Sequence, residues 1–399
     1  MAKLAINTDQ TSANVAHLLV RLSLILAFII TPVVLLVSQR AIFVLSSVAL
    51  ALVLAAGPLL AERMRMKAAF AFLISPVGIV CMFLTVWAST SLLWTPFPGE
   101  ATPRLLKIVS TFLCVLPVAH VLPARSRAAN LYVLPIGVAV ASVGASVLSA
   151  SLSTKMLDPA TMRTLLDAMT FVLLLLWPAV MAAFLRGRIK LAASLAIIAV
   201  IASLSVHSTS ALVATAAAAL AFLLSRRDTL KTSLWIGRVG AAAFILAPLA
   251  PLLIAPLVGA FNGFSWLKVW NGIIFTDGVR LLTGHGFNYV ASGYVHGYLG
   301  AETPKSLLFE IWTDLGVLGA LSSAALLFLA YRLAAVQTAN TAPYWIGALT
   351  FVATLGFLGG ATLQLWWITA LALGLVALVL ATRGDFQTER PTAPSQSAS

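Results

Sequence analysis

Basic residues in this chain crowd into every second connection between its apolar segments. About twelve hydrophobic stretches, most 17–25 residues long, follow one another with mostly short connections. Roughly 20 consecutive apolar residues span a bilayer as a helix, and cytoplasmic connections carry the Lys/Arg excess. The alternation therefore predicts an all-α, polytopic inner-membrane protein of about 12 transmembrane helices, with both termini in the cytoplasm.

The stretches fall at about 18–37, 41–61, 68–93, 105–122, 131–152, 164–185, 191–206, 208–225, 239–259, 307–331, 344–360 and 361–381. Even-numbered connections hold Arg63, Arg65 and Lys67; Arg125 and Arg127; Arg186, Arg188 and Lys190; Arg226, Arg227, Lys231 and Arg238; and Arg332. With Lys3, Arg383 and Arg390 in the tails, 16 of the 25 basic residues lie inside. Arg21 can snorkel to the same face. Seven of the 12 acids fall outside, so the cytoplasmic face is near +12 and the outer face near +1. The net charge of +13 is thus a topology signal and gives no reason to invoke nucleic acid.

This organisation comprises an N-terminal tail (1–17), nine helices (18–259), an outer loop (260–306), three helices (307–381) and a C-terminal tail (382–399). The Ser-, Thr-, Pro- and Gln-rich end reads as disordered. Cys81 and Cys114 both sit in apolar stretches, so no disulfide framework is implied. The first apolar stretch is too long for a cleavable signal, and no internal repeat of the kind transporters carry is visible.

The outer loop is long for a compact architecture, which marks it as functional. Its segment from Phe264 alternates bulky apolar and polar residues, with Trp266, Trp270 and Phe275. That suits a helix in the membrane interface, its tryptophans at headgroup depth. Gly284-His285-Gly286 ends it, and a stretch with Tyr289, Tyr294, His296 and Tyr298 leads to Lys305. Glu310 and Asp314 then share one face of the tenth helix near its outer end. Helix-end chemistry explains acids there; so does a role in positioning basic groups or an acceptor hydroxyl, because intramembrane acids are costly. Arg104 and Lys107 sit on adjacent turns at the outer end of helix four, as snorkelling residues or as a clamp for a phosphate. His207 lies in a turn, Val206-His207-Ser-Thr-Ser210, where a structural role is the simpler reading. Arg163 and Asp167 are spaced to pair with each other.

Four patterns, read together, resemble the O-antigen ligase and O-antigen polymerase family of membrane glycosyltransferases. They are Ser91-Leu-Leu-Trp-Thr followed by Pro-Phe-Pro; Ser208-Thr-Ser-Ala211 entering a helix; Trp270 with Leu282-Thr-Gly-His-Gly286; and Glu310-Ile-Trp-Thr-Asp-Leu-Gly-Val-Leu-Gly319. Their order, the helix count and the large outer loop before the tenth helix match as well. The resemblance covers most of the chain. It implies transfer of a glycan from an undecaprenyl-diphosphate carrier to a glycan or lipid-core acceptor, at the outer face of a bacterial inner membrane, in surface polysaccharide assembly. Ligase and polymerase differ in acceptor, and the sequence does not choose between them.

Three positions depart from the family pattern. Trp266 stands where it carries an Arg, Thr209 where its turn carries an Arg, and Lys305 where it carries a His. Either other residues take over those tasks, or the chemistry has changed, or the chain is no longer an enzyme. The leaving diphosphate needs cations, and Arg280 and Lys305, with Arg104 and Lys107, are the candidates. The acceptor hydroxyl needs a base poised near neutrality, for which His296 is favoured over His285. Glu310, Asp314 and Lys268 are the supporting residues. No cofactor is expected, since Gly284-His285-Gly286 fits no phosphate-binding or dinucleotide fingerprint, and no residue cluster suggests a metal. A lipid-linked glycan transporter and a non-catalytic membrane subunit are the alternatives. The topology itself is testable: phosphatase and fluorescent-protein fusions at Gly263 and Arg125 should report opposite sides, and same-side reports would sink the assignment.

Overall fold

The computed structural model describes residues 2–59, 73–121, 128–152, 158–249, 270, 272, 278–300, 302–359 and 364–384. Every apolar stretch read from the sequence overlaps a helix, and no strand occurs among the described residues. The chain opens with α1 (Ala2–Ile25), which widens into a π turn (Leu26–Ile30) and continues as α2 (Thr31–Leu35). Then come α3 (Ala41–Leu59), α4 (Pro76–Ser91), α5 (Pro98–Val121), a short α6 (Ala128–Leu131), α7 (Val133–Leu152) and α8 (Pro159–Leu185). They are followed by α9 (Ile189–Ser205), α10 (Thr209–Ser225), α11 (Thr229–Leu246), and the short α12 (Gly278–Thr283) and α13 (Tyr289–Val295). The last three are α14 (Leu307–Ala335), α15 (Ala342–Phe357) and α16 (Leu365–Thr382). Among the described residues, seven helices are long and apolar enough to cross a membrane, and four more are apolar but shorter. The protein is an all-α polytopic membrane protein.

Boundaries shift where the chain supplies a start signal. α5 begins at Pro98, ahead of the expected 105, which brings Glu100 and Arg104 onto one helix. α11 begins at Thr229 instead of 239, because the Asp228 carboxylate accepts the Lys231 N–H at 3.0 Å and caps the helix. The π turn has an equally local cause. Pro32 has no N–H to offer Phe28, so the helix widens there. The Phe28 carbonyl meets Gly137 of α7 so closely that a Cβ there would overlap it.

α8 is the centre of the bundle: from Ala168 to Ala179 every residue is buried. It packs against α7, α9, α15 and α16. Outward-facing Val143, Val147, Ile197, Ile201 and Leu220 are exposed, as an apolar rim facing lipid requires. Among the described residues, the Lys/Arg-rich connections at 186–190 and 226–231 lie at one end. There the Arg226 guanidinium lies 5.7 Å from the Phe184 ring, and the Trp345 indole donates to Thr382 at 3.0 Å. The basic segments at 62–67 and 125–127, most of 260–277 with Lys268, and the tail from 385 lie outside the described residues. Trp270, expected at headgroup depth, is buried edge-to-face on Phe309, with ring centroids 5.6 Å apart.

At the opposite end α14 is broken. Gly316 adopts φ 65° and ψ −158°, a region essentially reserved for glycine. The carbonyls before the break lose their helical partners, and a membrane protein must satisfy them internally. Three neighbours do so: the His285 N–H donates to Thr313 O at 2.8 Å, the Gly286 N–H to Asp314 O at 3.0 Å, and the Trp87 indole to Leu315 O at 2.9 Å. The approach is close enough that a Cβ on Gly284 or Gly316 would overlap the opposing backbone. Gly316→Ala should therefore destabilise the protein by at least about 1–3 kcal/mol. A thermal midpoint in detergent equal to that of the unaltered protein would contradict this account.

Candidate active site

The break in α14 holds the segment 284–295 in place. Beyond the backbone pairs, Asp314 accepts the amides of Asn288 and Val290, each at 2.9 Å, and so caps the start of α13. Asn288 enters α13 with φ 70°, a left-handed conformation that Asn tolerates. From the other side, the Phe287 N–H donates to Ser91 Oγ at 3.0 Å, and Thr95 Oγ1 donates to Phe287 O at 3.1 Å. Residues separated by some two hundred positions are thus stitched into one polar layer.

A chain of side-chain contacts runs across this layer. Arg104 donates to Asn288 Oδ1, and Asn288 Nδ2 donates to Ser292 Oγ at 2.7 Å. Ser292 donates in turn to Glu100, whose second oxygen lies 2.7 Å from His296 Nε2. These contacts hold the Glu100 carboxyl, which lies ahead of the apolar part of α5, below the ordinary glutamate range. Arg104 also faces Glu310 at 3.7 Å, and both side chains are largely buried.

Beside Arg104 opens a cavity of about 840 Å³. Its walls come from the Lys/Arg-poor ends of the helices: Gln39, Arg104, Arg163, Asp167, His207, Lys305, Glu310 and Gln364 all line it. Lys305 stands 5.0 Å over the Tyr294 ring, a cation–π contact. Asp167 accepts a hydrogen bond from Gln39 Nε2 at 2.7 Å, while Arg163, four residues before it on α8, acts on it through its charge, as their spacing suggested. Arg163 is exposed into the cavity and makes no hydrogen bond among the described residues. Three cations and two carboxylates therefore share this one cavity. Such a set can hold a phosphate or diphosphate by charge-assisted bonds.

Of the residues expected to form the site, Arg104, Lys305 and Glu310 meet at this cavity. Asp314 lies buried behind it as the cap of α13. Arg280 sits on α12, 3.4 Å from the Gly284 carbonyl, and Lys107 is exposed on the outer side of α5; neither lines the cavity. His285 stacks on Tyr289 at 4.6 Å with Nδ1 3.2 Å from Thr313 O, and His296 stacks on Phe97 at 5.1 Å beside Glu100. Neither histidine is among the lining residues. Lys268 lies outside the described residues. Asn288, Arg163, Asp167 and His207 were not expected as a group. The sequence signal for them is that each is a polar residue next to a Lys/Arg-poor helix end.

No protein-family model matches the chain, and no curated protein matches it at a significant level. Asn288 is the junction of the polar layer. Asn288→Gly keeps the left-handed backbone but leaves Arg104 and Ser292 without their shared partner, and should destabilise the protein by about 1–3 kcal/mol. An unchanged melting temperature in detergent would show that the layer does not depend on this side chain.

Proposed function

We propose that the protein transfers a glycan from an undecaprenyl-diphosphate carrier to an acceptor sugar hydroxyl, at the outer face of a bacterial inner membrane. Both termini then lie in the cytoplasm, and the cavity opens at the opposite face. The observation that carries this reading is convergence. The segment Gly284–Phe287 is hydrogen-bonded both to Ser91 and Thr95 and to the Glu310–Gly319 motif, and Glu310 and the turn at Ser208 line one cavity. In this reading Arg104, Lys305 and Arg163 face the leaving diphosphate. Arg104 supplies a planar guanidinium for bidentate contact, and Lys305 a compact charge. Glu310 keeps Arg104 aimed into the cavity. The acceptor, lipid core or second lipid-linked repeat, enters from the aqueous side.

Membranes carrying the protein, supplied with lipid-linked glycan and acceptor, test this. Lys305→Ala and Arg163→Ala remove cations that hold no helix together, so both should insert normally. A charge-assisted bond is worth about 1.5–3 kcal/mol, so each should lower transfer roughly ten- to a hundredfold. Full transfer by both variants would contradict the assignment of the cavity to the diphosphate. In cells, deletion that leaves only unligated long chains identifies a ligase, and deletion that leaves single repeats identifies a polymerase. Accumulation of lipid-linked glycan on the cytoplasmic side would instead identify a transporter.

A further inference from the structure

We propose that His207 is the base that takes the proton from the acceptor hydroxyl. The inference rests on the glycan-transfer reading and adds a residue to it. Of the histidines whose side chains the structure describes (His17, His207, His285 and His296), His207 alone lines the cavity. The other two near this end have occupied rings: His285 is held between Thr313 O and Tyr289, and His296 between Glu100 and Phe97. The His207 ring makes no hydrogen bond among the described residues.

Its backbone is held far more tightly than its ring. His207 has φ 59°, a left-handed conformation that few non-glycine residues adopt, His, Asn and Asp most readily. The turn is fixed on both sides: the His207 N–H donates to Leu204 O at 3.1 Å, the Ser208 N–H to Ser203 O at 3.1 Å, and the Thr209 N–H to His207 O at 3.0 Å. Ser149 of α7 pins the preceding turn by donating to Ser205 O at 2.7 Å. Glycine would occupy this position without strain. A histidine there places an imidazole on a fixed mount facing a cavity with Arg163 and Asp167, which glycine would not.

The step balances without any cofactor. The acceptor oxygen forms a bond to the anomeric carbon of the donor glycan. The bond from that carbon to the diphosphate oxygen breaks, and its electron pair leaves on the lipid diphosphate, opposite the cavity's cations. The hydroxyl proton passes to the neutral imidazole of His207, which releases it to water before the next turnover. A positioned base of this kind contributes about 10²- to 10⁴-fold to rate.

The left-handed turn makes the test selective. His207→Gly removes the imidazole and relaxes the backbone, so it should insert as well as the unaltered chain or better. Its transfer of glycan from lipid-linked donor should fall at least a hundredfold, with donor binding retained, and added imidazole should restore part of the rate. Transfer at the unaltered rate by His207→Gly would overturn the proposal and move the base to Asp167 or Glu310. Loss of transfer with no response to imidazole, and with donor binding also lost, would overturn it too, in favour of a structural turn. If the glycine variant does not insert, His207→Asn, which tolerates the same backbone region, carries the same comparison. Absence of transfer by the unaltered protein, under conditions where it binds the donor, would instead remove the enzyme reading and this proposal with it.

Discussion

The site depends on a helix that stops being a helix. Gly316 interrupts α14 near one end of the bundle and strands the carbonyls of Thr313, Asp314 and Leu315. In water such groups would be hydrated; in a membrane protein they must find partners within the chain. The loop at 285–286 and the Trp87 indole are those partners. Everything at that end is built on the pairing. It brings α13 to the Asp314 carboxylate, and α13 brings Asn288 to Arg104. A straight α14 would leave the loop with nothing to bind.

Charge is the second constraint. Arg104, Arg163 and Lys305 face one cavity with Glu310 and Asp167, where the surrounding protein and lipid screen poorly. A buried ion pair such as Arg104–Glu310 contributes little net stability, since desolvation offsets the attraction. Its consequence is geometric: the guanidinium is held by Asn288 and Glu310 together and cannot swing to solvent. Lys305 is held more loosely, over an aromatic face. Arg104 is thereby preorganised by two side-chain partners, where Lys305 has a ring contact.

Helix positions were legible because hydropathy and the alternation of Lys and Arg are properties of contiguous segments. The misplaced starts had local causes that a hydropathy count ignores, namely Pro98 at the head of α5 and the Asp228 cap of α11. Within the site, Arg104, Lys305 and Glu310 were legible as charges placed where charges are scarce. Asn288 was not, because its importance lies in joining Ser292, four residues on, to Arg104, 184 residues away on another helix. Arg280 and Lys107 look equivalent to Arg104 in the sequence. They differ only in which way their helices face: one turns toward the Gly284 carbonyl, the other toward the exterior.

Composition and charge order by themselves determined that the chain is a helical membrane protein and which helix ends are poor in cations, since each follows from the local cost of placing a side chain or a backbone group in lipid. Only the tertiary structure decided that residues 39, 104, 163, 207, 305 and 364 share one cavity, and that His207 faces it while His285 and His296 do not. Those neighbours come from four connections and the first turns of α5 and α8, separated by tens to hundreds of residues. Their meeting is set by how the helices pack around α8 and by the break at Gly316, neither of which leaves a periodic trace in the sequence.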